Sequence, residues 1–327
     1  MKLMITVPIN ISLEHLKQYI ELGVDVIRFN FSHIDLELFE KLYFYVKNNY
    51  PDIKILQDLQ GEKIRIHQHY IHDIKIDKGR KICFCDEEYY KKHAYKVPYA
   101  LLPINWEHDF KDLFLAKKII IGSTEIKKES LLNDSAIIGV AEEDFVIRAD
   151  KGINFVDINR QQLSLTKKDI EDLDFIKDYS TDYICISFVE NKSILKDIKE
   201  KIQDYSFRPK IIAKIETLTG CKNIKEILTE CDGIMLGRGD LSKELEPIEF
   251  IKQQANIINI AKENCKEIIV GTYAMCSMLY SERPSVSDLT SLQYLKDKNI
   301  DCLMLSDEIV IGKYAKQTIE LVNRIIK

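Results

Sequence analysis

Eight short apolar runs, separated by helical or polar stretches, constrain this 327-residue chain more than any other feature. They lie at 3–8, 24–32, 53–61, 183–188, 210–216, 233–240, 267–275 and 302–308. Each is short, apolar and rich in β-formers, and so reads as a strand. Helix signals fill most of the gaps. The segment 12–22 opens on Ser12 as N-cap and is closed by Gly23, and 35–49 opens on Asp35. Thr166 with Asp169 three residues on forms an acidic variant of the capping box. Pro247 sits in the first turn of 247–264, and further helices are expected at 191–204, at 285–297 and along the closing stretch from Ile311. Eight strands alternating with helices predict the α/β class and a (β/α)8 TIM barrel. The alternation fails once. Residues 66–157 carry only short β-rich runs split by polar turns, which predicts a small β domain inserted after the third strand. The barrel is then assembled from 1–65 and 158–327.

The strand ends carry chemistry. The second strand offers Arg28, Asn30, Ser32 and His33, and the third Asp58, Gln60, Lys63 and Arg65. The fifth gives Lys214 and Glu216, the sixth Arg238 and Asp240, the seventh Thr272, and the eighth Ser306 and Glu308. In a parallel barrel these C-terminal ends form the active-site face. Read blandly, such residues are salt-bridge partners on a surface. So many cations and carboxylates on one rim instead suit a shared anionic ligand and a divalent metal, because unpartnered burial costs several kcal/mol each. Lys214, Glu216 and Asp240 are the core of that set: one cation and two carboxylates for a phosphoryl group and a hard metal.

Composition excludes other classes. The net charge of −5, without a Lys/Arg block, argues against nucleic acid as the main partner. No stretch is long enough to span a bilayer, and the start lacks a signal peptide, so a cytoplasmic protein is expected. The eight cysteines show no framework and are read as reduced thiols. His67 and His69, two apart, read as a solvated strand face rather than a zinc site.

Taken in order, IRFNFSH, DLQGEKIRI, DKGIN, AKIET, LGRGDL, the threonine of VGTYAMCSM, ERPS and CLMLSDE resemble the motifs of the pyruvate kinase family across essentially the whole chain. The resemblance implies that the inserted domain is a small β-barrel lid. It implies the substrates phosphoenolpyruvate/pyruvate and ADP/ATP, with Mg2+ (or Mn2+) as cofactor. It assigns Lys214 to the transferring phosphoryl group and the enolate oxygen, and Glu216 and Asp240 to the metal. Gly239, Asp240 and Thr272 would join Lys214 around the substrate, with Thr272 near the carbon that is protonated. Arg28 would bind phosphate. Arg65 and Lys151 would approach the nucleotide phosphates, with Asn30 and His33 nearby. In this family a lysine at the position of Lys63, beside a leucine such as Leu59, goes with independence from K+. Its ammonium would stand in for the monovalent cation near Asn30, Ser32 and Asp58.

The chain also departs from the family pattern. The motifs read here do not extend to the family's C-terminal regulatory domain, so a protein without allostery by that route, and a monomer or a barrel-mediated homodimer, is expected. Val286 replaces an arginine associated with the barrel interface. The lid has Gly122-Ser123 in place of paired aspartates, and Phe155-Val156-Asp157 in the returning segment. Tyr273 and Cys276 replace a glutamine and a glutamate, Glu190 replaces a basic residue, and Pro8-Ile9-Asn10 replaces a glycine–proline pair. Alternatives therefore stay open: the same enolate chemistry on another acceptor or 2-oxo acid, a metal-dependent pyruvate-type aldolase or lyase, or a non-catalytic homologue.

Overall fold

The computed structural model describes residues 1–67, 73–94, 96–132, 134–148, 151–158, 160 and 164–327; His69 lies outside them. The chain divides into two compact units, Met1–Glu62 with Leu163–Lys327, and Lys63–Gln162.

The first unit is a closed barrel of eight parallel strands. They are β1 (Lys2–Thr6), β2 (Val26–Asn30), β3 (Lys54–Leu59), β4 (Tyr183–Ile186), β5 (Lys210–Ile215), β6 (Gly233–Gly237), β7 (Glu267–Gly271) and β8 (Cys302–Leu305). Each strand pairs with its neighbours in sequence, and β1 closes on β8. The helices begin where the local chemistry allows. Ser12 accepts the His15 N–H at the start of Leu13–Glu21, and Asp35 accepts the Leu38 N–H at the start of Leu36–Asn49. Thr166 and Asp169 close a reciprocal capping box on Lys167–Ile176. Pro247 opens Pro247–Glu263.

The two-residue period of a strand sorts its side chains into barrel interior and helix-facing surface. Inside, the middle layer is apolar: Met4, Val26, Leu56, Cys185, Ile212, Met235, Ile269, Cys302 and Met304. Two residues further along four of these strands the interior turns polar, at Thr6, Arg28, Asp58 and Lys214, and all four are buried. Outside, the alternate residues pack against the helices in the main core, among them Ile5, Ile27, Phe29, Ile55, Leu59, Ile184, Ile211 and Ala213. The sequence thus builds a plug of hydrocarbon and sets charged groups on top of it.

One outward position breaks this pattern. Gln57 sits between Ile55 and Leu59, beside Phe29 and Ile184 in the ladder. It is fully buried, and among the described residues neither its amide nitrogen nor its oxygen has a hydrogen-bond partner. An unsatisfied buried amide costs about 1–3 kcal/mol. Gln57→Met, which keeps the volume and removes the polar atoms, is therefore expected to raise the thermal midpoint. A lower midpoint would mean that solution water satisfies the amide.

The second unit carries a six-stranded sheet whose two edge strands are bridged by Arg65 and Ile66, to Gly152 and Ile104, so that it curls on itself as the expected β-barrel does. Its order is Ile153–Phe155, Ile119–Ile121, Thr124–Leu132, Ala136–Ala141, Lys81–Cys85 and Ala100–Pro103, all antiparallel except the last pair. Ile74–Ile76 and Phe145–Ile147 form a separate two-stranded ribbon. Its core, with Phe84, Leu102, Ile137 and Phe155 at the centre, is distinct from that of the barrel. The Gly122-Ser123 replacement occupies a two-residue hairpin between the paired Ile121 and Thr124. Gly122 has φ +66° while Ser123 is not left-handed, which is the type II′ pattern that glycine favours. Among the described residues no helix is long and apolar enough to cross a membrane. All eight cysteines are free thiols.

Candidate active site

The polar upper layer of the barrel is one connected charge network. Asp58, fully buried at the end of β3, accepts two hydrogen bonds on Oδ2 from Arg28, from Nε at 2.7 Å and Nη2 at 2.6 Å. The Lys214 ammonium reaches the same oxygen at 3.3 Å. It also donates to Ser187 Oγ at 2.9 Å and lies 3.4 Å from Glu216 Oε1. Arg28 completes its contacts with Thr6 Oγ1 at 2.8 Å. Charges therefore alternate along the row: Arg28 positive, Asp58 negative, Lys214 positive, Glu216 negative. Burial alone would raise the Asp58 carboxyl, but the Lys214 and Arg28 cations outweigh it and hold the group below the usual aspartate range. Burial alone would lower the Lys214 ammonium, but Asp58 and Glu216 outweigh it and raise its pKa, so the lysine stays charged.

Glu216 is fixed at both oxygens. Besides Lys214 on Oε1, the backbone N–H of Phe188 donates to Oε2 at 3.2 Å, from a residue in the left-handed region at φ +57°. Room for this carboxylate comes from the neighbouring strand. A Cβ on Gly237 would lie 2.6 Å from the Glu216 side chain, so only glycine fits at the end of β6. Asp240 follows in the first turn of the short helix Arg238–Glu244, is buried, and lies 3.4 Å from Lys243 Nζ. Glu216 and Asp240 thus stand at the ends of adjacent strands, with no third His, Cys, Asp or Glu converging on them among the described residues. Two hard carboxylates without imidazole or thiolate are the donor set Mg2+ accepts when substrate oxygens and water complete its shell.

Thr272 is the first residue after β7, at φ +59°, and Tyr273 follows at φ +52°. Consecutive left-handed residues that are β-branched and aromatic cost about 1–3 kcal/mol each. The strain places Thr272 Oγ1 where the Gly239 N–H donates to it at 2.8 Å and the Gly271 carbonyl accepts from it at 2.7 Å. Thr272 and Gly239 are thereby brought together.

The other expected residues sort by unit. Asn30 shapes the loop after β2, its Oδ1 accepting the Ser32 N–H at 3.3 Å and its carbonyl accepting the His33 N–H at 3.0 Å. Lys63, Arg65 and Lys151 belong to the second unit. The chain has left the barrel by Lys63, since Arg65 bridges to Gly152 and Ile66 to Ile104. A Cβ on Gly152 would come within 2.9 Å of Lys63 Cε, so the lysine stem runs across this glycine. Lys151 is exposed, and its Cε lies 3.8 Å from where a Gly122 Cβ would stand.

Three contributors escape sequence reading. Ser187 and Thr6 are ordinary strand residues until the ladder sets them beside charges. Asp169 has a further partner besides its cap: its Oδ1 accepts the Gly61 N–H at 3.0 Å. Gly61, at φ +60°, is pressed against strand four, and a Cβ there would lie 2.3 Å from the Ser187 carbonyl oxygen. The loop after β3 is thus pinned from both sides.

Comparison with known proteins agrees with this construction. The family model described as Pyruvate kinase, barrel domain, matches residues 2–319. The pyruvate kinase of Methanocaldococcus jannaschii is 33% identical over 305 residues, covering 93% of this chain and 64% of that protein. The pyruvate kinase of Mycobacterium intracellulare is 29% identical, covering 94% and 65%, and that of Thermoplasma acidophilum 28%, covering 97% and 56%. The chain thus spans 64% of the length of the first of these relatives. With a barrel, a charged rim and a family match that runs from β1 into the last helix, this chain belongs to the pyruvate kinase family.

Proposed function

We propose that this chain transfers a phosphoryl group between phosphoenolpyruvate and ADP, giving pyruvate and ATP. The observation that carries the reading is Lys214, a buried ammonium kept charged by Asp58 and Glu216 and set beside a two-carboxylate donor pair. Phosphoryl transfer needs positioning and charge neutralisation more than covalent chemistry. Glu216 and Asp240 would hold Mg2+, whose chemistry when bound is to neutralise phosphoryl and enolate oxygens. Lys214 faces the same charge from the protein side and holds the transferring group in line. Ser187 and Asp58 fix the direction of its N–H bonds. Arg28 spends three of its five N–H groups on Asp58 and Thr6, which leaves two for a phosphate oxygen. Thr272 already accepts the Gly239 N–H, so its proton goes to the Gly271 carbonyl or outward to a water. That water would deliver a proton to the enolate carbon. Arg65 and Lys151 supply the cations of the second unit for nucleotide phosphates.

A coupled assay of pyruvate release from phosphoenolpyruvate and ADP with Mg2+ tests the reading directly. We expect turnover that K+ raises little above a tetramethylammonium control, because the Lys63 ammonium supplies the fixed positive charge. Strong K+ stimulation would remove that role from Lys63. Tyr273, half exposed beside Thr272 where the family has glutamine, favours a second reading in which the enolate machinery serves a different acceptor. In that case the assay gives no ATP, while phosphoenolpyruvate with Mg2+ still raises the melting temperature.

A further inference from the structure

The loop that carries Thr272 is held by two buried charges that touch neither each other nor, by any contact described above, the carboxylate pair. Arg238 lies in the first turn after β6 and is nine-tenths or more buried. Its Nε donates to the Thr272 carbonyl at 2.9 Å and to the Gly271 carbonyl at 3.4 Å, and its Nη2 donates to Thr272 at 2.5 Å. Its Nη1 donates to Ser291 Oγ at 3.2 Å. Among the described residues no carboxylate pairs with it. Burial lowers its pKa to about 10, and the field of Glu308 partly offsets this. Glu308, buried just after β8, is equally without a cation among the described residues. Its Oε1 accepts the N–H groups of Ala274 at 3.2 Å and Met275 at 3.0 Å, and its Oε2 accepts the Ser306 N–H at 3.0 Å.

Opposite charges thus grip opposite poles of one short peptide segment. The guanidinium takes the carbonyls at its start and the carboxylate takes the N–H groups at its end. Between the two grips stand Thr272 and Tyr273, the consecutive left-handed residues. A β-branched and an aromatic side chain do not hold that backbone unaided; a surrounding structure has to impose it. Each charge is satisfied by the loop it holds, so burial of both is explained without an ion pair.

We infer that Arg238 and Glu308 are positioning residues that hold the Thr272–Tyr273 backbone left-handed, and so fix Thr272 Oγ1 between Gly239 and the reacting carbon. This role rests on the proposed phosphoenolpyruvate chemistry for its effect on turnover, but not for its effect on the loop.

The test uses the full chain with Glu308→Gln, Tyr273→Gly and the double variant. Two quantities are read: steady-state turnover of phosphoenolpyruvate and ADP, and amide hydrogen exchange across residues 271–277. Glycine at 273 adopts the left-handed backbone without strain, so it removes part of the need for the grip. Glu308→Gln is expected to lower kcat about 100-fold, the size of a displaced catalytic group, with the KM for phosphoenolpyruvate little changed. It is also expected to speed exchange at Ala274 and Met275. Adding Tyr273→Gly should recover about tenfold of the lost kcat, a coupling that independent sites do not show. Wild-type kcat in Glu308→Gln, or a loss that Tyr273→Gly does not relieve, overturns the inference. If Glu308→Gln does not fold, Arg238→Lys, which keeps the charge and loses the planar fork, carries the same readouts. If the wild type lacks turnover while 271–277 exchange slowly and Glu308→Gln frees them, the grip stands and the phosphoryl-transfer reading falls. Fast exchange in the wild type overturns the grip whatever the activity.

Discussion

Lys214→Met is expected to lower kcat by about three to four orders of magnitude, the scale of a cation that neutralises a transferring phosphoryl group. Methionine keeps the length and the hydrocarbon stem and removes only the charge and its hydrogen bonds. The loss should fall on kcat more than on the KM for phosphoenolpyruvate, since the charge Lys214 meets is largest in the transition state. The fold should survive. Asp58 keeps both Arg28 bonds, and Glu216 keeps the Phe188 N–H. Lys214→Arg should rescue poorly, because the space between Asp58, Ser187 and Glu216 is built around a compact ammonium rather than a planar fork. Steady-state kinetics with a melting curve for each variant decide the matter. Turnover within tenfold of wild type in a folded Lys214→Met protein would remove the lysine from the chemistry.

The parts of this site that were legible in sequence are those set by period and by strand ends. Alternation inside the strands put Arg28, Asp58 and Lys214 on top of the apolar layer, and the end of each run gave Glu216, Asp240 and Thr272. What stayed hidden is partnership between distant segments. Asp58 reads as a strand-end carboxylate, but nothing in its motif announces its bond from Lys214, 156 residues away. Asp169 announces itself as a cap, but its bond to Gly61 crosses 108 residues. Ser187 and Thr6 carry no signal at all, because a serine or threonine in a strand is unremarkable until a charge stands opposite. Arg238 and Glu308 are visible at their strand ends, but their partners are backbone atoms, which no side-chain pattern encodes. The inserted unit was legible mainly as a failure of alternation. Its short helices, Glu87–His93 and Phe110–Phe114, lie in stretches where tight turns mask a helical period.

The charge network also makes a prediction about stability whose sign follows from the carboxylate at its centre. Asp58→Asn keeps the shape and leaves Arg28 and Lys214 buried, with Glu216, beside Lys214, as the remaining carboxylate of the row. Removing one partner of a buried pair costs about 3–5 kcal/mol, so a large drop in melting temperature is expected at pH 7. The wild-type advantage must depend on pH in one direction. The Asp58 carboxyl titrates lower in the folded state than its ordinary value of 3.8, because its two cations outweigh burial. A lowered pKa means that the unfolded chain binds the proton more readily. The contribution of Asp58 is therefore full above the unfolded value and is lost as pH falls through 3.8 towards the folded one. Asp172 acts in the opposite sense. Burial raises it to about 6 despite its bonds from Lys168, so the folded state binds its proton more readily, and that contribution is lost as pH rises from about 4 through 6. The absolute stability of either protein mixes the two effects. Their difference does not, because Asp172 is common to both. The gap in melting temperature between wild type and Asp58→Asn should hold constant from pH 7 to about 5 and narrow only below about 4. A gap that is small at pH 7, or one that widens as the solution is acidified, would mean that Arg28 and Lys214 do not depend on Asp58 to stay buried.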